Sequence, residues 1–487
     1  MSIDKSGLID KSGSTDSRRR FLQNSGLGIG WLAALDLFQQ TASAEKTNPL
    51  APKLPPLRAT AKRIISLFMQ GGPSQVDTFD PKPLLAKLHG QHPPASFGDE
   101  DFQNGKLREQ VVLGSKRSFR KYGQSGIEVS DLFPHVSQRV DDLAVIRSCY
   151  HEGFTHSQAQ FLINNGWPRI GRPSMGSWIL YGLGTENQNL PGFVVLLEGG
   201  VRSGPAVYGQ GFLPAAYQGT SFRPGRNPIL NLNPPAGMKA EQQRDLLETL
   251  HTLNETHLEA RNADSELAAR ISSYDLAFRM QMSAPEATDV SSETEATKKL
   301  YGLDNPVSAD FGGRCLLARR LIERGVRFVQ VWNGNGMNAD DWDGHIACDR
   351  NHQARAAQTD KAVAGLLTDL KSRGLLEDTL VIWGGEFGRS PTSDGGANGA
   401  EGRDHNPYGF TIWMAGGGVK GGQVIGGTDE LGLRAVQDPV HLNDLHASIL
   451  CMLGLDHERL TYPYMGRNFR LTDVGGKTDL VKRLRKA

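Results

Sequence analysis

The chain has 487 residues, and its 54 Lys+Arg against 53 Asp+Glu give a formal charge of +1. Apolar residues make up 38% and charged residues 22%, which excludes a wholly disordered chain, a collagen and a multi-span membrane protein. The balanced charge shows neither the basic excess that serves nucleic acid nor an acidic tail. Four cysteines (Cys149, Cys315, Cys348, Cys451) lie far apart with no CxxC. A zinc knuckle or dense disulfide scaffold is therefore excluded, while one or two disulfides stay open.

The first 44 residues read as an address. Ser17-Arg18-Arg19-Arg20-Phe21-Leu22-Gln23 resembles the twin-arginine export motif in all but its last position. A short apolar stretch, Leu27 to Phe38, precedes Ala42-Ser43-Ala44, an A-x-A-like cleavage site. The stretch is shorter than the roughly 20 apolar residues of a membrane span. The expectation is export of a folded precursor across the cytoplasmic membrane, with no transmembrane segment in the mature chain. Residues 45–60 read as a linker, 61–475 as a single domain, and 476–487 as a basic tail.

The body alternates strand-like and helix-like segments. Arg63–Met69 is an apolar run ended by Gly71-Gly72-Pro73, the pattern of a buried strand entering a loop. Similar runs occupy Pro191–Leu197, Val326–Trp332, Thr379–Trp383 and Phe410–Met414. Between the third and fourth, Asn351–Arg373 carries Val363, Leu366, Leu367 and Leu370 at helical spacing. Helix, glycine, strand is the rhythm of a mostly parallel sheet covered on both faces. Residues 240–300 form a helical excursion without strands. The fold class is a three-layer α/β/α sandwich.

In open α/β sheets, ligands bind beyond the carboxyl ends of the strands. Four such loops carry polar clusters: Gly72–Asp80, Asp340–His345, Gly384–Ser390 and Gly402–Asn406. Carboxylates and imidazoles gathered this way suit a borderline divalent cation. His446 sits in an apolar helical pattern and reads as a packed core histidine; His151 reads either as a ligand or as a partner of the backbone. Trp332, Trp342, Trp383 and Trp413 either stack on sugars or plug the sheet edge. Gly416–Gly422 lacks the Lys-Ser/Thr of a phosphate-binding P-loop and reads as a tight turn.

Several of these segments are identifiable together. Gln70–Lys82, Trp342-Asp343-Gly344-His345, Gly385–Pro391, Gly402-Arg403-Asp404-His405, Ala415–Gly422 and Asp444–Gly454 resemble the bacterial domain of unknown function 1501 family, within the alkaline phosphatase and arylsulfatase superfamily. The likeness runs from about residue 60 to 475. It implies the sulfatase-like sandwich and a divalent metal (Zn, Mn or Ca) held by Asp77, Asp341 or Asp343, His345, Glu386 and His405. The superfamily Asp-His-Gly aligns with Glu386-Phe387-Gly388, so one histidine ligand is replaced by Phe387. The first-strand aspartate has no equivalent at Gln70-Gly71, and Asp77 is the nearest substitute. The nucleophile position falls on or beside His156, leaving Thr155 and Ser157 as candidates. Arg389 or Arg403 would hold an anionic group. The resemblance implies a hydrolase of phosphate or sulfate esters, small-molecule or glycan, and alternatively an inactive relative binding an anionic glycan or a protein partner.

Overall fold

The first strand of the sheet, β1 (Arg63–Met69), reads Arg-Ile-Ile-Ser-Leu-Phe-Met, with every residue after Arg63 buried. Successive side chains of a strand point to opposite faces, and here both faces are covered. Ile65, Leu67 and Met69 join one core cluster; Ile64 and Phe68 join the other. The near-continuous apolar run is what such double coverage requires.

A computed structural model describes residues 48–485, except 99–100, 103–104, 224–228, 230–236, 261–270, a few positions between 272 and 283, 337–340 and 396–400. The export signal expected at 1–44 lies outside the described residues. Pro49–Ala487 form one compact unit.

Among the described residues the sheet has nine strands. After β1 come β2 (Leu143–Tyr150), β3 (Phe193–Leu196), β4 (Thr220–Phe222), β5 (Phe328–Asn333), β6 (Thr379–Gly384), β7 (Phe410–Gly416), β8 (Gln423–Ile425) and β9 (Val440–His441). Their spatial order is β8-β2-β7-β6-β1-β5-β3-β4, with β9 also on β2. β1 lies parallel to both β6 and β5, with Ile64 opposite Leu380 and Phe328. Only β7 runs against its neighbours. That reversal matters for the site, because it brings the residues preceding Phe410 to the edge where the other strands end.

Helices form the two outer layers. α1 (His156–Asn165), α2 (Met175–Leu183) and α6 (Leu442–Met452) pack on the face of Ile64 and Phe68. α4 (Ala309–Glu323) and α5 (Cys348–Ser372) cover the face of Ile65 and Leu67. The architecture is the expected three-layer sandwich. In the expected excursion lies α3 (Ala240–Ala260), which leaves Leu246, Leu250 and Leu253 exposed. No helix among the described residues is long and apolar enough to cross a membrane.

Residues on either side of the expected domain also belong to its structure. Lys53 N donates to Leu183 O and Thr60 N to Met452 O. At the other end, Asp479–Leu484 is a helix burying Leu480, Val481 and Leu484. The four cysteines are unpaired, so neither disulfide left open by the sequence forms. Trp332, Trp342, Trp383 and Trp413 are all buried; they fill the core and are not sugar-stacking surfaces.

Candidate metal centre

The site lies where the strands end, and tight turns set its parts. After β5, Trp342 is fully buried and its Nε1 donates to Asn333 Oδ1 at 2.8 Å. With that ring anchored in the core, Asp343 and His345 are delivered to the edge of the sheet. After β1, Gly71 has φ +106°, and a Cβ there would stand 2.6–2.8 Å from the Trp342 and Asp343 backbone. Glycine is required because no side chain fits between the two loops. Before β7, His405 pairs with Arg389 in a two-residue antiparallel ribbon. After β2, an extended Thr155 starts α1, and His156 is its first residue.

His156, Asp343, His345 and His405 converge, each offering a ligand atom within 4.8 Å of the others. His345 Nε2 lies 3.0 Å from Asp343 Oδ1, His156 Nε2 lies 3.2 Å from Oδ2, and His405 Nε2 lies 3.6 Å from Oδ1. The opposite nitrogen of each ring faces an oxygen acceptor. His345 Nδ1 meets Asp394 at 2.5 Å, His156 Nδ1 meets Glu386 Oε1 at 2.9 Å, and His405 Nδ1 meets Phe154 O at 2.9 Å. With a cation at the centre, each Nδ1 would keep its proton on that acceptor and each Nε2 would turn its lone pair inward, as metal-ligating imidazoles do with their outer partners. Three imidazoles and one carboxylate form a tetrahedral-type donor set for zinc or another borderline divalent cation. Calcium, which takes six to eight oxygens, fits it poorly.

Electrostatics agree with the geometry. Burial alone would raise the Asp343 carboxyl, but the Arg389 guanidinium and the neighbouring imidazoles of His156, His345 and His405 hold it well below the usual carboxylate range. Burial brings His405 down to about 3. Burial also works to lower His345, yet its hydrogen bonds to Asp343 and Asp394 carry it up to about 9.

The remaining expected ligands stand elsewhere. Glu386 is fully buried and accepts from Gly71 N at 3.0 Å on both oxygens, as well as from His156; it orients the His156 ring and lies outside the converging group. Asp77 does not approach the cluster. Arg403 Nε donates to its Oδ2 at 2.8 Å and Ser74 Oγ at 2.6 Å. Asp341 accepts from Gln70 Nε2, Gly336 N and Arg202 Nε, and burial pushes it up to about 6. Between the two candidate carboxylates, Asp343 is the one at the histidines.

The expected catalytic side chains are also redistributed. Arg389 is fully buried and donates to Gly71 O, Gly72 O, Arg403 O and Asp343 Oδ1. It braces the site from behind, as Arg403 braces Asp77, and neither is open to an anionic substrate. Thr155 and Ser157 are both exposed. Adjacent helix positions point about 100° apart, so with His156 aimed inward its two neighbours turn away. Phe387, standing where a histidine was expected, packs on His405 with ring centroids 4.3 Å apart. His151 has both nitrogens on the backbone, at Glu386 O and Gly153 N, and is no ligand.

Three participants escape the sequence reading: His156 as a ligand, Asp394 behind His345, and Arg202. Arg202 reaches Asp341 Oδ2 with Nε at 3.1 Å and Asp343 Oδ2 with Nη2 at 2.9 Å. His156 has a signal, since it stands in the run after β2 that carries the expected nucleophile position, but the resemblance points there to the hydroxyls on either side of it. Asp394 and Arg202 sit in loops whose approach no local spacing announces.

The family model described as "Protein of unknown function (DUF1501)" matches residues 61–484. The chain belongs to this family. No curated protein sequence matches it. Solved structures similar to this family member include the PsFucS1 sulfatase from Pseudoalteromonas sp. (12% identity, TM-score 0.38, 88% of this chain and 72% of that one). Another is a mutant TAB5 alkaline phosphatase, from an Antarctic bacterium, with Mg bound in its M3 site (12%, TM-score 0.34, 82% and 99%). A third is the lipoteichoic acid synthase LtaP from Listeria monocytogenes (7%, TM-score 0.36, 87% and 78%).

Proposed function

We propose that this chain is a divalent-metal-dependent hydrolase of phosphate or sulfate esters, small-molecule or glycan. One observation carries the reading: three imidazoles, each fixed by an acceptor at Nδ1, direct Nε2 toward one another around the Asp343 carboxylate. His156, Asp343, His345 and His405 would hold the cation. A cation so held would polarise an ester oxygen and make water a nucleophile at neutral pH.

The chain's own groups supply the rest. Asp343 stays ionised across the physiological range, so the ligand set keeps one negative charge. Glu386, Asp394 and the Phe154 carbonyl fix the ring tautomers. Phe387 makes an apolar wall against His405 and His156, which lowers the local dielectric and strengthens the attraction between cation and anionic substrate. His345, the most exposed of the four ligands at 29% of its side chain, marks the side from which substrate enters. With Thr155 and Ser157 exposed, water and not a side-chain hydroxyl attacks the ester.

The test is metal content followed by turnover of an aryl phosphate and an aryl sulfate, on the wild type and His405→Ala. Metal-dependent turnover lost with His405 supports the reading. Metal binding without turnover of either ester moves the chain to a binding role, and no metal binding at all defeats the reading. The Arg18-Arg19 pair supports a second proposal, export of the folded chain; unchanged export after replacing both with Lys would overturn it.

A further inference from the structure

Asp343 is contacted by two arginines that differ in freedom. Arg389, on Oδ1, is fully buried and also held by three main-chain carbonyls. Arg202, on Oδ2, keeps 15% of its side chain exposed and has a second tether, Nε to Asp341 Oδ2 at 3.1 Å. The backbone carrying it is pinned. Arg202 N donates to Gln70 Oε1 at 3.1 Å, and Ser203 N and Oγ both donate to Gln160 Oε1. Both glutamines are fully buried. The main chain at Arg202 is thus fixed, and only the guanidinium can move.

Oδ2 of Asp343 is also the oxygen that faces His156 Nε2, at 3.2 Å. A divalent cation between those two atoms and the Nη2 of Arg202 compete for one carboxylate oxygen. A cation carries twice the charge and would have imidazole donors besides, so it would prevail. Arg202 would then lose its Asp343 contact but keep Asp341. Its Nη groups would then be free beside the site, with Nε still on Asp341.

We infer that Arg202 is a metal-released anion clamp: the guanidinium neutralises Asp343 in the metal-free site, and metal loading frees its Nη groups for a tetrahedral oxyanion, a phosphoryl or sulfuryl group, that bridges it to the cation. This rests on the metal reading above and names the residue that selects the anion. A planar fork of donors matches two oxygens of such a group. The clamp also prevents premature binding, because without metal Nε and Nη2 are held by the chain's own carboxylates.

The test uses Zn²⁺ or Mn²⁺ alone and then inorganic phosphate and sulfate, by titration calorimetry on the full chain. Wild type should bind the metal, and the anions only once metal is present. Arg202→Gln removes the competitor, so its metal affinity should rise about tenfold, the scale of one close, partly buried charge pair, while metal-dependent anion binding disappears. Arg202→Lys keeps the charge without the fork; it should bind metal as the wild type does and the anions more weakly. Should Arg202→Gln fail to fold, anion binding by Arg202→Lys at wild-type strength would overturn the clamp. A wild type without metal binding overturns the metal reading and the clamp together. Metal binding that is unchanged or weaker in Arg202→Gln, or anion binding that survives in it, overturns the clamp alone.

Discussion

His345 and His405 face each other through Nε2 atoms 2.9 Å apart, while their Nδ1 atoms are committed to Asp394 and to the Phe154 carbonyl. Two inward lone pairs at that distance repel unless something positive lies between them. A proton on His345 suffices when no metal is bound, and a divalent cation serves all three imidazoles at once. Removing either ring should therefore weaken metal binding by more than about 100-fold, beyond the loss typical of an outer-shell change. His151→Ala is the control. Its nitrogens serve only the backbone, so metal affinity should hold while the melting temperature falls. Equal loss of metal in both variants would mean that the effect is one of folding.

Asp394 tests the outer partners. It touches His345 Nδ1 at 2.5 Å and fixes which nitrogen of that ring faces Asp343. Asp394→Asn keeps the shape but can present its amide N–H to Nδ1, which favours the wrong tautomer. Metal affinity should drop about 10–100-fold with little change in thermal stability. Wild-type affinity in this variant would show that the ring is oriented by other contacts.

The sandwich and half of the site were legible in the sequence, and the division has a physical cause. Strands buried on both faces announce themselves as continuous apolar runs, so β1, β3, β5, β6 and β7 were readable. β2 was not, although it lies between β7 and β8. Its run, Leu143–Tyr150, is broken by Arg147-Ser148, whose partners are distant in sequence: Arg147 Nε lies 3.7 Å from Asp80 Oδ1, and Ser148 Oγ donates to the Asp438 carbonyl. The loop after β2 is reached only through the family resemblance, which points to the hydroxyls of Thr155 and Ser157 and not to His156 as a ligand. Asp343, His345 and His405 were legible because each sits within a few residues of a recognisable strand end. Asp77 misled for the same reason: it is near such an end, yet Arg403, remote in sequence, binds it.

Gly71 allows the β1 loop and the Trp342-Asp343 turn to touch. With φ at +106° and backbone atoms within 2.8 Å of any added Cβ, Gly71→Ala should destabilise the fold by about 1–3 kcal/mol from backbone strain alone. The push falls on Asp343, and the Gly71 N–H bonded to Glu386 moves with it. Metal affinity should fall together with stability. An alanine variant with wild-type melting temperature and metal affinity would show that the two loops can separate without consequence.

Acid sensitivity follows from the buried histidines outside the metal site. Burial holds His446 at about 4, below its ordinary 6.5, and its Nε2 meets the Ile163 carbonyl. The folded chain thus refuses a proton that the unfolded chain accepts. Between these two values the unfolded state binds more protons, so stability is complete above 6.5 and falls as the pH drops toward 4. One such histidine contributes about 1.4 kcal/mol per pH unit across that window. His446→Gln does not titrate and keeps a donor for Ile163, so denaturant melts from pH 7 to 4 should show a slope shallower by that amount. An unchanged slope would mean that His446 takes up its proton without unfolding the chain.

The nucleophile can be decided by two small substitutions. Thr155 and Ser157 flank His156 but are exposed, whereas the imidazole between them lies 3.2 Å from Asp343. A side-chain nucleophile must stand within hydrogen-bond reach of the group that activates it, and losing one costs on the order of 10⁴-fold or more in turnover. Thr155→Val and Ser157→Ala should instead leave both metal affinity and ester turnover near wild type. A collapse of turnover in either variant, with metal affinity intact, would identify that hydroxyl as the attacking group. It would also require the first turn of α1 to rotate when substrate binds, because one helix face cannot present His156 and its neighbour to the same atom.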